Sequence, residues 1–300
     1  MAKKNFNAWE LQQKVNEIDN KAEKKYVEDN INKINSSLED IAINANTYGI
    51  VGDDATDNTS ILQSLLDKGG LIRIVEPGIY KTKTLEIGDN TTLEVYPGAV
   101  LKLKNNTANY LITNKDYTNG NKNIKLIGVF DNNYQHGNDK VGGYSDGKYP
   151  GHCLFFNNVV GLEYNKVTVK NAAKYASLIV NSKNIKCEDI TFDTHSDGLH
   201  FQPPIFNCHI NNVKGITGDD MIAFTLGDYT DYTVSNVGNF EKITVNNVYA
   251  DEGTLNVVKI TGSGEGNIYY FKDMEFNNIF ANDTQIGILR VVLDKASNTD

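Results

Sequence analysis

Three carboxylates fall within one short stretch of the chain. Thr194 to Phe224 reads THSDGLHFQPPIFNCHINNVKGITGDDMIAF, with Asp197 in one acidic turn and Asp219-Asp220 in a second. Each turn runs directly into a short apolar run, Leu199-His200-Phe201 after the first and Met221 to Phe224 after the second. Asp197 and Asp220 are 23 residues apart, and the same interval separates Tyr164, Cys187 and Ile210. Each of those three is followed, three residues later, by Val167, Ile190 or Val213. A repeat of this length built from short strands describes a coil that stacks on itself, a parallel β-helix or solenoid. Residues one period apart then lie about 4.8 Å apart, so Asp197 stands on Asp220 with Asp219 beside them. Stacked like charges raise the pKa of one member, and a protonated acid facing a base is what glycosidic cleavage requires.

The strands that follow the turns set the surroundings. Alternation points Leu199 and Phe201 inward and His200 outward, and one rung on it points Ile222 and Phe224 inward and Ala223 outward. The next strand, Asn256 to Thr261, can be laid 35 or 36 residues further along. An offset of 35 buries Lys259, whereas 36 buries Val258 and Ile260 and leaves Lys259 outward beside Ala223. An unpaired buried lysine is costly, which selects 36. Asp197, Asp219, Asp220, His200 and Lys259 then ring a small floor at Ala223, a cleft with a charged rim. Lys174, 23 residues before Asp197, is expected to stack beside it as an ion pair. His195 and His209 flank the stretch. His209 alternates with the inward Cys208 and Ile210 and reads as a surface histidine, so no metal set is expected. His200, Lys259, His195 and Lys174 are the candidate substrate contacts.

The rest of the composition suits such a coil. The chain has 300 residues, 40% of them hydrophobic, with 25 glycines but only 5 prolines. Aliphatic residues come in short alternating runs separated by Asn, Asp and Gly. Asparagines at 184, 211, 212, 246, 247, 277 and 278 recur at rung corners and read as turn formers and stacked amide ladders. A net charge of −9 argues against a nucleic-acid partner. No stretch approaches a membrane span, and the first residues lack the apolar core of a secretion signal. Cys153, Cys187 and Cys208 have no metal-binding spacing and read as buried free thiols. Tyr269, Tyr270 and Phe271 read as packing residues. Asp131 to Gly151 lacks periodicity and reads as an insertion projecting from one face.

Residues 1–46 are of another kind. Leu11, Val15, Ile18 and Ala22, then Val27, Ile31, Ile34, Leu38, Ile41 and Ala45, recur at alternating intervals of four and three. This spacing reads as an a/d seam of a helix that pairs with copies of itself, the alternative being a single helix lying on the domain; isoleucine at both seam positions leans towards three strands. Residues 47–300 form the β domain. Near its start, Tyr48 to Thr59 (YGIVGDDATDNT) leads into Ile61, Leu62, Leu65 and Leu66, a short helix with Asn58 or Thr59 as N-cap. Leu71 to Val75 then reads as a strand, before Pro77-Gly78-Ile79-Tyr80. This combination resembles the start of pectate-lyase-type right-handed β-helix proteins, and especially those on bacteriophage tail spikes and appendages. In that family the helix caps the first rung, and Asp53 and Asp57 are turn and cap residues.

The acidic stretch is similar to polygalacturonase-like glycoside hydrolases on the same fold. Asp197 matches their N-T-D segment, Asp219 and Asp220 their D-D segment, and Val258-Lys259-Ile260-Thr261 part of their R-I-K segment. That likeness implies Asp220 as the acid, Asp197 and Asp219 acting on the water, an inverting reaction, and Lys259 holding an anionic substrate group. The G-H-G element and the arginine of R-I-K have no counterpart, which argues against pectin as substrate. The resemblances together imply a homotrimeric virion appendage, assembled in the host cytoplasm and attached through its helix to other tail or collar proteins. It would cleave a host-surface polymer, wall teichoic acid or a capsular or exopolysaccharide, without a cofactor. A divalent cation enters only if the bond cut is a phosphodiester. The rival reading is a receptor-binding or structural spike without catalysis.

Overall fold

The computed structural model describes residues 24–30, 42–104, 110–134, 151–172, 174–227, 237–262 and 269–293. Residues 24–30 are helical. The rest of the heptad seam lies outside the described residues, as do residues 135–150 of the insertion, with one exception. Ala45, expected as the last seam position, sits fully buried in a 3-10 turn, Ala45–Tyr48, of the β domain. Strand pairing has already begun at Ile43–Asn44. The chain forms two compact units, Met1–Ile43 and Asn44–Asp300.

Among the described residues the strands form one continuous sheet of 18. The described pairings between successive turns of the chain are parallel, from Gly70–Ile74 on Thr91–Val95 to Asn256–Gly262 on Gly287–Leu293. Inward positions carry the core: Leu93, Leu101, Leu126, Leu162, Ile185, Cys208 and Ile243 are at most 1% exposed. Inside the coil, Phe201 stacks on Phe224 with ring centroids 5.1 Å apart. The three cysteines are free and buried, and burial pushes their thiols up in pKa.

Corners are made by asparagine. Asn184, Asn207, Asn212, Asn247 and Asn278 all have φ between 55° and 57°, the left-handed conformation that asparagine tolerates. Their amides form the expected ladders from rung to rung, Asn207 to Asn184 at 2.8 Å and Asn278 to Asn247 at 3.0 Å. At the first rungs the helix Thr59–Leu66 buries Leu62, Leu65 and Leu66. Asp53 accepts hydrogen bonds from the Ala55 and Thr56 amides, and Asp57 accepts from the Thr59 amide, so both serve the turn and cap. Asn58 stands at the N-cap position, but its side chain bonds Val51 and the Thr56 carbonyl instead.

Candidate active site

Close packing of two turns builds the site. A Cβ on Gly198 would lie 2.5 Å from the Met221 carbonyl oxygen, and one on Gly218 would lie 2.3 Å from that of His195. Only glycine lets these turns stack so tightly. The Gly198 amide donates to the Asp220 carbonyl at 2.9 Å, which fixes one acidic turn on the other. Beyond the turns, Leu199 pairs with Ile222 and His200 with Ala223, and Ala223 then pairs with Lys259. The offset of 36 is therefore the observed register, and Lys259 faces outward.

One oxygen from each of Asp197, Asp219 and Asp220 lies within 4.8 Å of the others. Asp220 is fully buried, and both its oxygens are engaged. Oδ1 accepts from the Asn256 amide at 2.6 Å, and Oδ2 pairs with the Lys259 ammonium at 3.0 Å. Asp197 is also buried; its Oδ2 meets His200 Nδ1 at 2.6 Å and its Oδ1 accepts weakly from the Asp220 amide at 3.4 Å. Asp219 differs. It is half-buried, and among the described residues none hydrogen-bonds its carboxylate. Its backbone is held instead, through a Leu255 amide at 2.9 Å and the Thr217 hydroxyl at 3.2 Å.

The electrostatics follow from these contacts. Burial, and then the charges of Asp197 and Asp220, push the Asp219 carboxyl up to about 7. Asp220 is raised too, by burial first and Asp197 second, while Asn256 and Lys259 oppose the shift. Burial alone would depress Lys259, but the surrounding carboxylates, Asp220 foremost, hold it above the ordinary lysine range. Asp219 is the accessible and unbonded member of this cluster. Asp220 is clamped by an amide and a cation.

Two further expectations change. His200 faces outward but is only 3% exposed, because its ring lies flat on Tyr175 at 3.8 Å. It orients Asp197 rather than lining an open rim. Lys174 is not level with Asp197: Ser177 pairs with Leu199, an offset of 22, and this brings Tyr175 to that level. The offset becomes 23 only after the irregularity between Val180 and Ser182. The Lys174 amide donates to the Gly151 carbonyl at 3.1 Å. His195 is half-buried and meets Tyr134 edge-on at 5.0 Å, while His209 is exposed.

Asn256, Tyr175 and Arg290 were missed in the sequence. Asn256 lies 36 residues after Asp220, the offset already chosen for Lys259, so its place was readable. Arg290 pairs in register with Lys259 on the next rung, is half-buried, and makes no ion pair among the described residues. Together they form a cationic edge beside the carboxylates. The three acidic oxygens are close enough to share a cation, and the Lys259 ammonium already supplies a positive charge at Asp220 Oδ2.

No protein-family model and no curated protein sequence matches the chain. Solved structures do. A family 28 exopolygalacturonase from Yersinia enterocolitica matches at a TM-score of 0.61 and 18% identity, over 84% of this chain. The chain spans 57% of that protein's length. A hyperthermoactive exopolygalacturonase from Thermotoga maritima gives a TM-score of 0.64 at 15% identity, over 84% of this chain and 75% of its own. The polygalacturonase of Erwinia carotovora gives 0.57 at 14% identity, over 82% and 93% respectively. Together with the strand pairing, these likenesses establish a right-handed parallel β-helix.

Proposed function

We propose that the chain hydrolyses a glycosidic bond in an anionic polysaccharide. One observation carries this reading: the half-exposed, unbonded Asp219 stands beside two buried carboxylates, Asp197 and Asp220, each held by its own partners. Asp219 gives its proton to the leaving oxygen, and Asp197 with Asp220 orients and deprotonates the water. Lys259 and Arg290 face the substrate's negative group. The chemistry needs no metal, since Lys259 supplies the positive charge at Asp220.

The nearest oxygens, within 4.8 Å, are closer than the roughly 6.5–9.5 Å usual between the carboxyls of an inverting pair. Inversion therefore requires a water held jointly by Asp197 and Asp220 rather than one sandwiched between acid and base. NMR of the first-formed anomer checks it: inversion is expected, and retention would make one of the carboxylates a nucleophile.

The finer assignment is a bacteriophage tail appendage that cuts a host-surface polymer, wall teichoic acid or a capsular or exopolysaccharide. Its support is the resemblance of residues 48–80 and the heptad seam. In a teichoic acid the same acid and base would act on a phosphodiester. The test is to incubate wall teichoic acid, an acidic exopolysaccharide and polygalacturonate with the protein and with Asp219→Asn, and to size the polymers on a gel. Shortening by the unmodified protein alone is expected. Binding without shortening of any polymer would instead establish a non-catalytic receptor-binding spike.

A further inference from the structure

We infer that the substrate groove is blind at the rung of Asp197, so that the enzyme removes units from one end of its polymer instead of cutting within it. This inference rests on the hydrolase reading above and adds its mode of action. The register defines a column of outward positions across the site: Phe155, Leu178, His200, Ala223, Lys259 and Arg290. Outward side chains on a solenoid ordinarily meet solvent. Here Phe155 and Leu178 are 0% exposed and His200 is 3% exposed, whereas Lys259 is half-buried. The adjacent outward column shows the same gradient. Val180 and Gln202 are 0% exposed, Thr225 is 8% and Thr261 is half-buried. Arg290 and Val292 follow on the last described rung.

The covering atoms are aromatic rings. Tyr110 and Tyr117 pack on Phe155 with centroids 4.6 and 5.4 Å away, and Tyr175 packs with Leu178 and Val180. His152 stacks on Tyr175 at 4.7 Å, and Tyr175 stacks on His200 at 3.8 Å. The stack thus ends on the side chain that holds Asp197. It forms a wall on the rungs before the carboxylates, where a polymer passing through would need an open floor. Beyond Ala223 the floor opens, and it carries the cations Lys259 and Arg290. A sugar chain can therefore extend in one direction only from the bond being cut, with its anionic groups on the cationic edge.

A time course of product sizes tests this with the unmodified protein on the same three polymers. The expected pattern is the shortest products from the first time point, with the remaining polymer close to full length and viscosity falling in proportion to bonds cut. Early fragments of intermediate length with a steep viscosity loss would overturn the blind groove and leave the hydrolase reading standing. No product from any polymer would defeat both. A Tyr110→Ala/Tyr117→Ala variant lowers the wall at two half-buried rings and should begin to yield intermediate fragments. An unchanged product pattern in that variant, with its fold intact, would show that these rings do not close the groove.

Discussion

At the scale of single residues, the proposed mechanism makes Asp219 set the pH behaviour. It must be protonated to act as the acid, and its pKa is pushed up to about 7. The kcat/KM profile should therefore fall on the alkaline side of about pH 7, and Asp219→Asn should lose on the order of 10²–10⁴-fold at the optimum. A flat profile to pH 9 would remove Asp219 from the role. The same shift has a cost in stability. A carboxyl raised in the folded state binds its proton more tightly there than in the unfolded chain, so stability falls as pH rises from roughly 4 to about 7. Asp219→Asn cannot ionise. Its melting temperature should exceed that of the unmodified protein by a margin that grows across this window and then levels off, as thermal unfolding at pH 5, 6, 7 and 8 would show. The sequence revealed that these three aspartates meet, because 23-residue stacking is a matter of counting. It did not reveal how differently Asp219 and Asp220 are surrounded, because that depends on Asn256, Lys259 and the unequal burial of two adjacent residues.

At the scale of elements, register decides who belongs to the site. Alternation and the cost of burying a lysine were enough to place Lys259 outward at an offset of 36, and the strand pairing agrees. Lys174 was misplaced because the offset is 22 before the irregularity at Val180 and 23 after it, and no residue pattern marks such a shift. His200 pointed the expected way, but its covering ring comes from Tyr175 on the neighbouring rung, which alternation along one strand cannot report. Arg290 is the element-scale counterpart of Lys259. Two cations in register on adjacent strands repel each other, an arrangement usually unfavourable in a sheet. A substrate anion between them would reverse that penalty. Arg290→Ala should raise KM for the acidic polymer about 10-fold or more, leave kcat little changed, and not lower the melting temperature. A drop in kcat with KM unaltered would instead place Arg290 in transition-state stabilisation.

At the scale of the whole molecule, the β-helix and the segment before it are separate structural problems. The coil draws its stability from side chains stacked rung on rung and from asparagine ladders at its corners, all supplied by residues from Ile43 onward. Even Ala45, which the heptad spacing claims for the helix, is buried in the coil. The heptad spacing of residues 11–41 carries the proposal that this segment serves association between copies. Deleting residues 1–41 should leave the melting temperature within about 2 °C of the full chain and polymer cleavage per site unchanged. Mass in solution should drop from that of an oligomer, a trimer by the isoleucine pattern, to that of a single chain, as light scattering would show. If the truncated chain remains oligomeric, the contacts between copies lie on the coil itself. If the full chain is monomeric, the heptads do not assemble it, and a free-standing hydrolase becomes the better description than a trimeric appendage.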